Sequence, residues 1–242
     1  MKIAGKTDIG MVRATNQDTF CIDALGQDLG LALVCDGMGG VRGGDRASAI
    51  ARRTITNVIR SGCREAVGQG SIHDLLLKAV YEANKAIYMA SLAEPDCRGM
   101  GTTAVAALVT PDTAYVAHVG DSRLYQLRGE EFFQVTRDHS RVQEMVDEGS
   151  ITPAEARVHP DRNMITRAVG VDRDVDVDLL DLPLQPGDKL LLCSDGLSGI
   201  CTDWEIAGVL YTLPAEEAVE ELIHLANTGG GYDNITAVVV EL

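Results

Sequence analysis

Apolar positions change their spacing along the chain, and that spacing predicts the order of strands and helices. Short apolar or alternating runs over 2–8, 18–23 and 29–35 are typical of strands. Apolar side chains then recur three and four residues apart over 44–60 and 72–90. This second spacing predicts two amphipathic helices.

The rest of the chain returns to strands before it ends in mixed structure. The runs TTAVAALV, TAYVAHVG, SRLYQLRG and FFQVT are separated by turn signals and predict an antiparallel meander. Residues 140–170 predict short helices and loops, and residues 173–184 predict a strand with one wet face. A buried strand KLLLCS, helices over 203–211 and 214–227, and a last strand ITAVVVEL follow. Because strands and helices do not alternate strictly, the order favours an α+β fold with antiparallel sheets covered by helices.

Length and composition are those of an ordinary globular protein. The 242 residues contain 45% hydrophobic and 24% charged residues, and we expect one continuous domain over 1–242. No apolar run reaches the roughly 18 residues of a membrane span, and the N-terminus lacks the apolar core of a secretory signal. The six cysteines include no CxxC pair, which indicates a reducing compartment. We therefore expect a cytoplasmic protein with no membrane partner.

The net charge of −15 changes this picture in two ways. It argues against a nucleic-acid partner, because phosphate backbones require a basic surface. It also raises the question whether some of the acids are cation ligands rather than parts of a solvated surface.

Five aspartates stand at the ends of apolar strands rather than on wet helix faces. Asp36 and Asp195 each end a buried run and are followed by glycine, in VCDGMGG and LLLCSDGLSG. Asp233 precedes the last strand, Asp18 opens the second, and Asp121 lies in a turn between two strands. Since strands of one core bring their ends together, these carboxylates would repel one another unless cations neutralise them.

Two interpretations of this pattern remain open from the residues alone. Asp-Gly is a common turn dipeptide, and each pair by itself is explained by turn chemistry. Oxygen-only ligands without His or Cys suit Mg²⁺ or Mn²⁺, and two such ions about 3.5–4 Å apart activate water for attack on phosphorus. Arg13, in a loop before Asp18, is a candidate for binding a phosphate through two of its guanidinium nitrogens.

The ordered set of motifs resembles the bacterial metal-dependent protein serine/threonine phosphatases of type 2C, the PPM family. The matching stretches are DIGMVRATNQD, VCDGMGG, GTTAV, VGDSRLY, TRDHS, ITRAVG, LLLCSDGLSG and YDNITAVVV. The resemblance implies a four-layer α-β-β-α sandwich of two antiparallel sheets flanked by helices. It implies hydrolysis of phosphoserine and phosphothreonine on proteins by a water that bridges two Mn²⁺ or Mg²⁺ ions. Its partners would be a Hanks-type kinase and that kinase's substrates, and we expect a monomer.

The resemblance also assigns roles to residues of this chain. Asp36 would bridge the metals, the Gly37 carbonyl would bind one of them, and Asp195 and Asp233 would bind the other. Asp18 would act through water, and Arg13 would hold the substrate phosphate. Asp121, with Asp195, would support a weaker third metal. The segment from about 137 to 170 corresponds to the flap beside the active site, which His139 would orient.

Two positions depart from the family pattern. Met38 stands where animal members have a histidine after DG, so a histidine acid is missing there and the proton donor to the leaving group is undefined. Gln17 stands where many members have glutamate, which predicts weaker binding of one metal. His118 and Trp204 are expected to be structural residues of the core, and Thr102 and Thr103 to support the metal site from behind.

Two rival functions follow from the same residues. One is a non-catalytic module that binds metal or phosphoprotein, although Asp36, Asp195 and Asp233 are all present. The other is a metal-dependent phosphodiesterase or nuclease, against which the acidic charge and the lack of a basic stripe count.

Overall fold

The computed structural model describes residues 1–39, 43–63 and 69–242, and within the last range it describes side chains from residue 72 onward. The strands are β1 (Lys2–Asp8), β2 (Asp18–Ala24), β3 (Gly30–Met38), β4 (Gly101–Thr102), β5 (Ala104–Val109), β6 (Thr113–Val119), β7 (Arg123–Arg128), β8 (Glu131–Gln134), β9 (Asp178–Pro183), β10 (Lys189–Cys193) and β11 (Ile235–Glu241). The helices are α1 (Gly44–Gly62), α2 (Gln69–Ala93), α3 (Arg141–Asp147), α4 (Pro153–Val158), α5 (Asp195–Ser198), α6 (Asp203–Thr212) and α7 (Ala215–Thr228), with a 3-10 turn at Pro95–Cys97.

The strands form two antiparallel sheets. The first sheet has the order β1-β11-β10-β7-β8, and the second has the order β2-β3-β5-β6-β9, with β4 paired to β3. All of their ladders are antiparallel. The predicted α+β class with two antiparallel sheets is therefore confirmed.

Three apolar clusters fill the spaces between four layers. The clusters are represented by Val34, Val105, Leu190 and Val238 between the sheets, by Ile55, Leu76 and Leu108 between the second sheet and α1 and α2, and by Leu191, Leu210 and Leu222 between the first sheet and α5–α7. Alternate side chains of β3 and β11 point into different clusters, as the period of a strand requires. This confirms the expected α-β-β-α sandwich.

The predicted single meander over the middle of the chain is wrong in one respect. β5 and β6 pair within the second sheet, whereas β7 and β8 pair within the first. The chain crosses between the sheets at Gly120, which has a φ of 108° that favours glycine. This crossing places Asp121 at the mouth of the space between the sheets.

Two further expectations differ from the structure. The strand expected over 173–184 begins only at Asp178, because the Asp172 and Arg173 carbonyls accept hydrogen bonds from the Asn84 side chain at 3.1 and 3.0 Å instead of joining a ladder. Trp204 was expected in the core, but it is 87% exposed on α6. None of the helices in the described residues has the length and apolar character needed to cross a membrane.

Candidate metal centre

A cavity of about 440 Å³ opens where the ends of β3, β10 and β11 meet. Asp36, Asp121, Asp195 and Asp233 line it, together with Arg13. The structure thus brings four of the five predicted acids to one space. The fifth, Asp18, lies behind the lining and is only 5% exposed.

The backbone of Asp36 is held from both sides. Its N–H donates to Thr103 Oγ1 at 2.9 Å, and its carbonyl accepts from Thr102 Oγ1 and the Thr103 N–H, both at 2.8 Å. These bonds fix the end of β3. Burial raises the pKa of the Asp36 carboxyl well above its usual range, and the neighbouring Asp18 and Asp195 carboxylates add to the shift. The supporting role expected for Thr102 and Thr103 therefore has a geometric basis.

Asp18 is directly opposite Asp36 in the β2–β3 ladder. Its Oδ2 accepts hydrogen bonds from Ser194 Oγ and Thr236 Oγ1, both at 2.7 Å. Its Oδ1 is buried without a hydrogen-bond partner among the described residues. Burial raises the pKa of Asp18 to about 6, although the two hydroxyls oppose that shift.

Asp195 begins the short helix α5, directly after β10. Within the part of the chain that the structure describes, its buried Oδ1 has no hydrogen-bond partner. Burial raises the pKa of this carboxyl, and the charge of Asp233 raises it further. A carboxylate in this position is stabilised only when a positive charge reaches it.

Arg13 reaches Asp233 across the cavity. Its Nη2 donates to Asp233 Oδ2 at 2.6 Å, and this bond raises the pKa of the guanidinium. The other oxygen, Oδ1, accepts from the Asn234 N–H at 2.8 Å. Arg13 therefore already places a positive charge beside one acid of the cluster.

Asp121 is 9% exposed and lies in the crossing between the sheets. Burial raises its pKa well above the usual range, with contributions from Asp195 and Asp138. His139 forms hydrogen bonds with both backbone groups of the neighbouring Gly120. The Gly120 N–H donates to His139 Nδ1 at 3.0 Å, and the backbone N–H of His139 donates to the Gly120 carbonyl at 2.8 Å. These two bonds join the Asp121 turn to the start of the segment 137–170.

Gly37 lies where backbone segments approach closely. A Cβ there would be 2.0 Å from the Gly44 carbonyl oxygen and 2.7 Å from the Gln17 carbonyl oxygen. The Gly37 N–H also donates to the Gln17 carbonyl at 3.2 Å. Only glycine fits this position, which leaves its backbone beside the cavity.

Part of the segment 137–170 lies beside the cavity. Asn163 and Ile165 line the cavity, and Ser140 and Ile165 form an isolated bridge at the base of the segment. Ser140 caps α3 by accepting from the Gln143 N–H at 3.3 Å.

His118 is buried and structural, as expected. Its Nε2 donates to the Ser122 carbonyl at 2.9 Å, and its ring lies 4.7 Å from that of His139. Burial lowers the pKa of His118 to about 3, so the ring is neutral. Asp178 completes a cluster with these two rings, but Arg167 Nη1 donates to Asp178 Oδ1 at 2.7 Å and already places a cation there.

Three supporting residues escaped the sequence interpretation. Ser194 and Thr236 hold Asp18, and Asn234 ties the loop of Arg13 to β11. The Asn234 side chain donates to the Ile9 and Thr15 carbonyls at 2.9 and 3.0 Å and accepts from the Gln17 N–H at 2.8 Å. The only signal for them was that each adjoins a predicted ligand or lies in a matched motif.

The donor set fits divalent ions. It consists of the carboxylate oxygens that line the cavity, the backbone of Gly37, which also lines it, and the Oδ1 atoms of Asp18 and Asp195, which have no hydrogen-bond partner among the described residues. Oxygen donors of this kind are the ligands that Mg²⁺ and Mn²⁺ prefer. The mutual repulsion that raises the pKa of Asp36, Asp121 and Asp195 would be relieved by such ions.

Comparisons with known proteins point to one family. The profile of the family described as Protein phosphatase 2C matches residues 12–235. The Listeria monocytogenes protein named serine/threonine phosphatase stp is 38% identical over 237 residues, which cover 98% of this chain and 94% of that protein.

Solved structures show the same similarity. Serine/threonine phosphatase Stp1 from Staphylococcus aureus superposes with a TM-score of 0.93 at 33% identity, covering 100% of this chain and 94% of the other. The catalytic domain of serine/threonine protein phosphatase PstP, solved in complex with two manganese ions, superposes with a TM-score of 0.85 at 38% identity, covering 98% of this chain and 96% of that domain.

Proposed function

Because the chain belongs to the protein phosphatase 2C family, we propose that Arg13 and the clustered aspartates carry out metal-dependent hydrolysis of phosphoserine and phosphothreonine on proteins. Family membership makes the chain a serine/threonine protein phosphatase. The observation that carries the assignment of residues is the meeting of Asp36, Asp121, Asp195 and Asp233 with Arg13 around one cavity.

Asp36, the Gly37 carbonyl, Asp195 and Asp233 would hold two Mn²⁺ or Mg²⁺ ions. Asp36 would lie between the two ions, and Asp195 with Asp233 would bind one of them. When bound, such a pair supplies an activated water and positive charge at the transferring phosphoryl group. Asp18 orders this centre from behind through its hydroxyl partners, and Asp121 with Asp195 would hold a weaker third ion.

Arg13 binds and orients the substrate phosphate. Its guanidinium offers a planar pair of donors that matches two phosphoryl oxygens. Because Arg13 now donates to Asp233, substrate binding would exchange a carboxylate partner for a phosphate. A cation that binds Asp233 would favour this exchange, since it would compete for the same carboxylate oxygen.

The cavity restricts access to the reacting group. Asn163 and Ile165 of the segment 137–170 form one wall, so this flap would contact residues beside the phosphorylated side chain. We further propose that the protein acts as a monomer and opposes a Hanks-type kinase on shared substrates.

Phosphate release from a phosphothreonine peptide tests this function. We expect release with Mn²⁺, loss of release with EDTA, and much slower hydrolysis of a phosphodiester such as bis(p-nitrophenyl) phosphate. Faster hydrolysis of the diester would favour a phosphodiesterase instead. Absence of hydrolysis by folded, Mn²⁺-loaded protein on several peptides would favour a binding module.

A further inference from the structure

A second groove, of about 600 Å³, runs along α1 beside β2. Four arginines line it: Arg46, Arg52, Arg53 and Arg60. The chain as a whole contains 36 acidic and 21 basic residues, whereas α1 contains these four arginines and a single acid, Asp45. A concentration of arginine on so acidic a protein is not explained by a generally basic surface.

The spacing of three of the four arginines places them along one helix stripe, and Arg52 lies next to Arg53 at its edge. Arg46, Arg53 and Arg60 are seven residues apart, and this spacing returns to nearly the same face of a helix. Thirteen to fourteen residues of helix at 1.5 Å each give a stripe about 20 Å long. An extended peptide of about six residues has the same length.

The arginines at the two ends of the groove are held by ion pairs. Arg46 is paired with Glu94, and Arg60 is paired with Asp23. Arg52 and Arg53 are exposed, and neither has an ion-pair partner within residues 1–39, 43–63 and 72–242. Among the described residues, Arg52 and Arg53 thus lie without an ion-pair partner between two arginines that have one.

The floor of the groove contains an unused polar group. Thr56 is 6% exposed and lines the groove, and its Oγ1 has no hydrogen-bond partner among the described residues. A buried hydroxyl without a partner costs stability unless a ligand or water satisfies it. Arginine donors above such a floor suit carboxylate or phosphate oxygens.

The helix that lines the groove begins beside the predicted metal centre. α1 starts at Gly44, and a Cβ on Gly44 would be 2.6 Å from the Gly37 carbonyl oxygen. On the other side, β2 starts at Asp18 and runs beside α1, where Thr19 Oγ1 donates to the Ser48 carbonyl at 3.1 Å. A polypeptide with its phosphorylated side chain at the metal centre can therefore extend along α1.

We propose that this groove, which we call the α1 groove, binds an acidic segment of the protein substrate that lies next to the phosphorylated residue. This inference rests on the proposed phosphatase function and specifies the substrates that the site prefers. Carboxylate side chains of the segment pair with Arg52 and Arg53, and the metal centre holds the phosphate.

Two phosphothreonine peptides test the α1 groove. They share the phosphothreonine and differ in a six-residue flank, which is rich in Glu and Asp in one and in Gln and Asn in the other. The flank is placed on either side of the phosphothreonine in separate peptides. We expect the acidic flank on one side to raise kcat/KM about tenfold through a lower KM, and 0.5 M KCl to remove most of that advantage.

The variant Arg52→Ala/Arg53→Ala should abolish the advantage and leave kcat/KM for the neutral peptide unchanged. The matched control Lys78→Ala/Lys85→Ala removes two exposed cations from α2 and should keep the advantage. Equal kcat/KM for both flanks on the native enzyme, or an advantage that survives in the arginine variant, would overturn the proposal.

A binding measurement separates this inference from the proposed function. Fluorescence anisotropy of the labelled acidic flank without phosphothreonine should show binding that weakens at least fivefold in the arginine variant. If the neutral peptide is not hydrolysed at all, the phosphatase assignment fails, and this binding measurement still decides whether the α1 groove takes an acidic peptide.

Discussion

Asp18 and Asp36 lie directly opposite each other on the antiparallel strands β2 and β3. Side chains at directly opposite positions share one face of a sheet, and like charges there destabilise it. The fold nevertheless fixes both residues, Asp18 through Ser194 and Thr236 and Asp36 through the backbone bonds of β3. A pair arranged in this way stores repulsion that a bound cation releases.

Removing one charge from this pair should stabilise the metal-free protein. We expect Asp36→Asn to raise the Tm in EDTA, by about 2–4 °C for each kcal/mol of repulsion removed, while phosphatase activity is lost. Differential scanning calorimetry in EDTA measures the Tm. The exposed Asp74→Asn is the control and should leave both Tm and activity unchanged. A lower Tm for Asp36→Asn would contradict the account of repulsion.

Stability of the metal-free protein should fall as pH rises through about 6. The pKa of Asp18 is raised to about 6 in the folded protein from an ordinary value of 3.8, so the folded state holds a proton that the unfolded state has released. This contribution is present below about pH 4 and is lost by about pH 7. The pKa values of Asp178 and Asp188 are lowered by their arginine and histidine partners. Their contribution to stability therefore changes only at a lower pH than that of Asp18.

Chemical unfolding in EDTA between pH 5 and 7.5 measures how the free energy of unfolding falls with pH. The variant Asp18→Asn should make that fall smaller. The double variant Ser194→Ala/Thr236→Val removes the hydroxyls that hold the Asp18 carboxylate. Because those bonds lower the pKa of Asp18, the variant should shift the pH dependence of Mn²⁺ affinity to higher pH. An unchanged pH dependence would show that the hydroxyls do not act through Asp18.

Replacing Arg13 should weaken substrate binding without weakening metal binding. Since it pairs with Asp233 at 2.6 Å, Arg13→Ala frees that carboxylate and should leave Mn²⁺ affinity equal or tighter. The same variant should raise KM for a phosphopeptide by about 10–100-fold, because a charge-assisted bidentate contact is lost. Steady-state kinetics and Mn²⁺ titration measure the two effects. A weaker Mn²⁺ affinity with an unchanged KM would contradict the role of Arg13.

Gly37 should tolerate no side chain. A Cβ there would meet the Gly44 carbonyl oxygen at 2.0 Å, so Gly37→Ala forces the start of α1 away from β3. We expect a loss of stability of about 2 kcal/mol or more and a large loss of Mn²⁺ affinity. Gly26→Ala is the control, because a Cβ at Gly26 meets nothing within 4 Å. Equal stability of the two variants in urea would show that Gly37 is not constrained.

The sequence predicted the meeting of the strand-end aspartates better than the contacts that support them. Asp36 and Asp195 end apolar strands and are followed by glycine, a local pattern that needs no knowledge of the fold. The hydroxyls on Asp18 come from Ser194 and Thr236, which are distant in sequence and meet Asp18 only because the two sheets pack together. Local patterns carry no signal for such contacts.

The two wrong predictions, the single meander and the buried Trp204, also depend on packing that local patterns do not report. The runs on either side of Asp121 have equal β character, and pairing within two different sheets is decided by the packing of the sandwich rather than by the turn. Trp204, expected in the core, lies in the first turn of α6 and is exposed, while Ile206 and Leu210 are buried. An apolar residue type alone does not decide which face of a short helix is buried.

An equilibrium titration with Mn²⁺ tests the central claim most directly, with bound metal counted for the native protein and for Asp36→Asn, Asp195→Asn and Asp74→Asn. We predict two bound ions for the native protein and for Asp74→Asn, one of them held more weakly, as Gln17 predicts. We predict the loss of both ions in Asp36→Asn, and of one ion in Asp195→Asn. Two ions bound equally well by folded Asp36→Asn would contradict the account, because Asp36 could not then be the carboxylate shared by the two metals.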